Sequence, residues 1–211
     1  MTVALLCFAP VSAKTTSNHQ VESATNPDGS ALRIATTTNE GAGSRRVKVY
    51  YRSHPDRPMQ LIWKKQFSLS ESLSSGVTQI VDWNQDGSND VAVTLACGAG
   101  ADCETQHYNI DQRTRRMTPV GVTYGITRVI SGYLVDMGRN NCCSWIGKAH
   151  RLSTDRQRFD SEGAFFVFVA ADKDAIGDKP AKCYFFKETG QGEQVIPAPT
   201  QALKQLCRWY D

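Results

Sequence analysis

The run Asp82-Trp-Asn84-Gln-Asp86-Gly87-Ser88-Asn-Asp90 puts oxygen-bearing side chains at positions 1, 3, 5 and 9, with glycine at position 6. A hard cation such as Ca²⁺ takes six to eight oxygens at about 2.3–2.6 Å. Alternating acidic and amide residues on a sharply turning loop deliver them. Gly87 permits the turn and frees the next carbonyl, that of Ser88, as the position-7 donor. Asp82, Asn84, Asp86, Ser88 and Asp90 are therefore the candidate Ca²⁺ ligands. No glutamate closes the loop at position 12, and the flanks, 77–81 and 91–95, alternate as strands do. The pattern is a calcium loop between two strands, not an EF-hand. Calcium in such a place organises a turn and adds stability. With three carboxylates, the site suits surroundings richer in calcium than the cytosol.

The other chemistry-bearing residues form no catalytic motif. His19, His54, His107 and His150 are scattered, and there is no Gly-x-Ser-x-Gly elbow, His-Glu-x-x-His helix or phosphate-binding glycine loop. The acidic residues concentrate in turns and in the calcium loop, where structure already explains them. This balance favours a binding protein over an enzyme. The 24 basic and 21 acidic residues nearly cancel, and no region is basic throughout, which argues against nucleic acid as a partner. The short cluster from Arg113 to Arg116 reads as a solvated hairpin tip or as a patch for an anion or a protein partner.

The N-terminus reads as an export signal over residues 1–13. An apolar stretch runs from Val3 to Val11, and Val11-Ser12-Ala13 supplies the cleavage-site residues, although no positive segment precedes it. Cys7 follows Leu5-Leu6 and fits a lipoprotein box poorly; membrane attachment is expected only if Cys7 is lipidated. Export makes the remaining cysteines, Cys97, Cys103, Cys142, Cys143, Cys183 and Cys207, candidates for disulfides. Proximity favours Cys97 with Cys103. Cys183 with Cys207 would pin the C-terminal segment to a late strand. Cys142 and Cys143 would then bond each other or pair separately elsewhere.

The elements that must position these residues are strands. Residues 14–30 are polar and read as a flexible or edge-pairing lead-in, ahead of one domain over 31–211. Alternation marks strands at 32–36, 47–51 and 61–67, on both sides of the calcium loop, at 106–110 and 117–122, from Ile126 through Val135, at 144–151, and at 165–170 and 182–186. Only 199–210 has helical spacing, with Leu203, Leu206 and Tyr210 on one face and Thr200 as N-cap. The expectation is an all-β protein: an antiparallel sandwich or barrel, or a propeller-like stack of sheets, with a short C-terminal helix. A second loop, Asp172 to Asp178, keeps some of the calcium spacing but has Ile176 at position 5, and reads as a turn.

The segment 77–120 resembles an FG-GAP/VCBS-type repeat: strand, D-x-[DN]-x-D-G-x-x-D loop, apolar strand, then an aromatic strand carrying Tyr108 and a basic turn. Over about 30–211 the chain is similar to small periplasmic VCBS-like immunity proteins, partners of lysozyme-like effectors delivered by bacterial type IV secretion systems. The matching stretches are Arg128 to Tyr133, Cys142-Cys143-Ser-Trp145 and Leu206 to Tyr210. The resemblance implies a calcium-bearing protein that blocks a peptidoglycan hydrolase with a protruding loop. Ser131, Gly132 and Tyr133 would supply that loop, as Ser-Gly…Tyr loops do in some other lysozyme inhibitors. Ser131-Gly132 also reads as ordinary strand, and Arg139, Arg113 and Arg116 are rival contacts. A calcium-dependent adhesion or carbohydrate-binding module is the alternative.

Overall fold

The computed structural model describes residues 17–69, 75–98, 102–111, 114–141, 144–170 and 182–208. Within them the chain is all β. Fourteen antiparallel strands form three open sheets, and the one helix is a short 3₁₀ turn, Ala202–Arg208. The first sheet holds β1 (Ser17–Thr25), β2 (Ala31–Asn39), β3 (Ser44–Arg52) and β4 (Gln60–Ser68). The middle sheet holds β5 (Thr78–Val81), β6 (Asp90–Cys97), β7 (Cys103–Asp111) and β8 (Arg116–Tyr124). The third holds β9 (Ile126–Ile130), β10 (Tyr133–Asn141), β11 (Ser144–Leu152), β12 (Phe159–Ala170), β13 (Lys182–Thr189) and β14 (Gly192–Ile196). Strands lie in chain order within each sheet, so each is an up-and-down meander. The stack of sheets was among the expected architectures; the described residues close no barrel.

Period-two alternation drives the packing. In β3, Val47, Val49 and Tyr51 are buried while the residues between them are at least partly exposed. They join Leu32, Ile34 and Phe67 against Val91 and Val93 of the middle sheet. The opposite face of the middle sheet meets the third through Trp83, Leu134 and Leu152, with Val129 and Phe159 beside them. On its far face the third sheet buries Val135, Met137, Phe165, Val167 and Phe185 under Leu203 and Leu206 of the 3₁₀ helix.

One local expectation is decided and two change. The polar lead-in takes the edge-pairing alternative over its described part: residues 17–25 pair along the whole of β2, from Ser17 opposite Asn39 to Thr25 opposite Ala31. The single strand expected through 126–135 is two strands. Ser131 (φ 50°) and Gly132 (φ 79°) both take positive φ, which makes the two-residue I′ turn that suits strand twist. The helix is shorter and tighter than the spacing predicts, though the Thr200 hydroxyl does accept the Leu203 N–H, at 3.3 Å.

Disulfides join Cys97 to Cys103 and Cys183 to Cys207, with Cα separations of 4.0 and 5.4 Å. The first closes the β6–β7 hairpin and the second ties the 3₁₀ helix to β13. They place the chain in an oxidising, exported environment. No described helix is long and apolar enough to cross a membrane. The export segment with Cys7, the 172–178 loop, Arg113, Cys142, Cys143 and Tyr210 lie outside the described residues.

Candidate metal centre

The calcium-type loop joins β5 to β6. Gly87 sits at φ 91° and Gln85 at φ 57°, so the chain doubles back tightly enough to turn three successive amides inward. The Asp86 N–H donates to Asp82 Oδ1 and to Asn84 Oδ1, each at 3.1 Å. Gly87 N–H donates to Asp82 Oδ2 at 3.0 Å, and Ser88 N–H to Asp86 Oδ1 at 2.8 Å. Backbone donors thus fix the side-chain oxygens of positions 1, 3 and 5 before any ligand arrives. Such preorganisation is what a cation site on a short loop needs.

Asp90, at position 9, begins β6 and is buried. Its Oδ1 accepts the Ile110 N–H at 3.2 Å, while its Oδ2 is buried with no partner. Burial pushes its carboxyl up to about 8; the Ile110 amide opposes this, and the neighbouring Asp86 and Asp82 charges add to it. Asn109 of β7, which continues the pairing of Val91 with Tyr108, likewise buries an Oδ1 with no partner. Two buried acceptors without donors are costly. Both line a cleft of about 440 Å³ beside the loop, together with Asp86, Ser88 and Gln157. Among the described residues, no three Asp, Glu, His or Cys side chains alone could hold a metal ion. A cation here would need a mixed donor set: the Asp82, Asp86 and Asp90 carboxylates, the Asn84 amide oxygen and the Ser88 carbonyl. This oxygen chemistry suits Ca²⁺ rather than a softer metal.

The loop is also where the three sheets meet. From the β1–β2 turn, Asn26 Oδ1 accepts the Asn89 N–H and side-chain amide at 2.8 and 2.7 Å. From the β11–β12 turn, Arg156 Nη1 donates to the Gln85 carbonyl at 2.8 Å, and its own carbonyl accepts the fully buried Asn84 amide at 3.1 Å. Gln157 Nε2 donates to Asp86 Oδ2 at 2.6 Å, and its carbonyl accepts from Asn109. Sequence reading missed Asn26, Asn109, Arg156 and Gln157. Their partners lie 48 to 72 positions away along the chain, so no local pattern marks them.

The candidate contact residues do not share one surface. Ser131 is exposed at the β9–β10 tip, and the position a Cβ would take at Gly132 is open space. The Gly132 carbonyl accepts the Leu152 N–H at 2.9 Å, which joins this tip to the 153–158 turn and so to the metal loop. Tyr133 is half-buried and packs edge-on to Phe165, with centroids 5.2 Å apart. Arg139 is exposed near the other end of β10, where its N–H donates to Asp102 Oδ1 at 2.9 Å. Arg116 is exposed at the start of β8, paired with Asp111, at the metal-loop end of the middle sheet.

Two of the histidines have structural settings. His107 Nε2 lies 2.8 Å from the Thr123 hydroxyl, and the ring packs 5.2 Å from Trp83. His150 meets Asp136 Oδ2 at 3.3 Å and stacks on Phe159. No family model matches the chain, and neither a curated protein nor a solved structure matches it.

Proposed function

We propose that this chain is a periplasmic immunity protein that binds and inhibits a lysozyme-like peptidoglycan hydrolase effector, with calcium in the 82–90 loop as a structural ion. The observation that carries the reading is the β9–β10 tip. Ser131 and Gly132 form a two-residue turn with positive φ at both positions, and no neighbouring side chain crowds Gly132. Tyr133 behind it is held by Phe165. A narrow, rigid tip of small residues fits a concave sugar-binding cleft, where preorganisation limits the entropy lost on binding. Calcium holds the adjoining loop, through which all three sheets are tied. Arg139, near the other end of β10, falls outside this contact set.

The test is inhibition of lysozyme-like hydrolases from the producing bacterium, with calcium present. The protein is expected to abolish peptidoglycan degradation by its cognate enzyme, and Ser131→Glu to weaken inhibition by about tenfold or more. No inhibition across such enzymes overturns the reading.

A second reading, a calcium-dependent carbohydrate-binding module, is favoured by a cavity of about 610 Å³ between the middle and third sheets, lined by Trp83, Gln79, Thr94, Thr105 and Arg128. An indole with hydroxyl, amide and guanidinium groups suits a saccharide. Glycan binding with no protein partner would favour it.

A further inference from the structure

The first sheet turns one face inward, where Leu32, Ile34, Val47, Val49 and Tyr51 are buried against the middle sheet. Alternate positions therefore look outward. Across the four strands they form rows: His19, Thr37, Arg46, Gln66; then Val21, Ala35, Lys48, Lys64; then Ser23, Arg33, Tyr50, Leu61, with Arg52 beyond, opposite Ala31. Five cations occupy this face, Arg33, Arg46, Lys48, Arg52 and Lys64, and no Asp or Glu stands at any outward position. Glu22 is on the other face, where it accepts the Ile80 N–H. Asp28, Glu40 and Asp56 lie in the turns between strands. Among the described residues, none of the five cations is ion-paired.

This arrangement works against the stability of the sheet. Lys48 and Lys64 are direct cross-strand partners, and like charges placed opposite each other repel. Arg33 Nε and Arg52 Nε are buried without a hydrogen-bond partner. An external anion would relieve the repulsion between the lysines.

We propose that this face docks on an anionic lipid bilayer. The paired strands span roughly 14 Å by 27 Å, an open sheet surface rather than a groove. Its two marginal strands carry exposed aliphatic side chains on the same face, Val21 (56 % exposed) and Leu61 (48 %). Cations set among phosphate groups, with aliphatic residues entering the interface beside them, are how peripheral proteins hold a charged membrane. Nucleic acid fits less well. The ring on this face, Tyr50, is covered by the Arg33 guanidinium at 4.6 Å and offers no free surface for a base. The proposal is independent of hydrolase inhibition, which uses the loop end of the molecule.

Co-sedimentation with phosphatidylglycerol-rich vesicles tests it, in a Cys7→Ser background so that no acyl chain contributes. The protein is expected to bind these vesicles, to release with added salt, and to ignore phosphatidylcholine vesicles. Lys48→Gln with Lys64→Gln should weaken binding by about 30-fold, from about fivefold per cation. Lys187→Gln with Lys204→Gln, the same charge change elsewhere, should alter it little. Leu61→Ser should weaken binding without changing its salt dependence. Equal loss in both double variants, no vesicle binding, or equal affinity for a DNA duplex would overturn the proposal.

Discussion

Against the first sheet, the middle sheet presents Val91 and Val93, closed over by Leu32, Ile34, Val47 and Val49, with Tyr108 and Trp63 rings 5.9 Å apart at the margin. Against the third sheet, its other face presents His107, Thr123, Thr94 and Thr105. There Asp136 accepts the Tyr124 N–H at 3.0 Å, the Lys148 N–H at 2.8 Å and the His150 ring at 3.3 Å. The first contact is held by non-directional apolar burial, which tolerates small shifts. The second adds directional bonds to the small Trp83, Leu134 and Leu152 cluster, beside a cavity of about 610 Å³, and a buried polar group there that loses its partner is costly. One face of the same sheet therefore resists single losses in proportion to the volume removed. The other is most sensitive to loss of the Asp136 acceptor, which serves both sheets.

Asp136→Ala breaks the polar side most severely, because two backbone N–H groups and an imidazole lose their acceptor. The expected loss is about 4 kcal/mol, read by denaturant unfolding. A loss below that of the apolar control would contradict the comparison. That control is Leu32→Ala on the dry side, where a buried side chain leaves a cavity and about 3 kcal/mol is expected.

Acid should discriminate the two sides without mutation. Burial, followed by the His150 charge and opposed by Asp136, lowers His107 from 6.5 to about 4. The unfolded chain takes up its proton below about 6.5, and the folded chain only near 4. Stability from this group is thus complete above 6.5 and falls as pH drops towards 4, by about 3 kcal/mol in all. His107→Gln should flatten that part of the pH–stability curve. An unchanged slope would remove His107 as its cause.

Calcium addition would sharpen the comparison with a smaller effect, since the 82–90 loop touches both contacts. Calcium at about 100 times its dissociation constant should raise stability by about 2.7 kcal/mol. Asp86→Ala should abolish this increment and leave a loss of about 1 kcal/mol in chelator, for its hydrogen bonds from Ser88 and Gln157. Equal loss with and without calcium would contradict the metal assignment.

The strands of the dry contact were legible because Val47, Val49 and Tyr51, like Val91 and Val93, alternate with more polar residues. The turn at 82–90, with its side-chain oxygens held by backbone amides, was legible because its spacing is local. Cys97 with Cys103 was legible from proximity. The polar contact was not: His107 looks like any residue of an alternating strand, and nothing nearby announces Thr123 or Trp83. The Ser131-Gly132 turn was misread as strand because apolar alternation continues across it. Only the backbone reveals the two positive φ values that reverse the chain there.

By itself the sequence determined an all-β chain of meandering strands, an oxidising environment and an oxygen-rich loop, because alternation, cysteine spacing and turn chemistry act between near neighbours. Only the tertiary structure decided that Asn26, Asn109, Arg156 and Gln157 gather at that loop, that Asp136 joins two sheets, and that five cations share one face. Those facts depend on which sheet packs on which. That choice is set by the total of burial and hydrogen bonding over the whole molecule, and no local pattern encodes it.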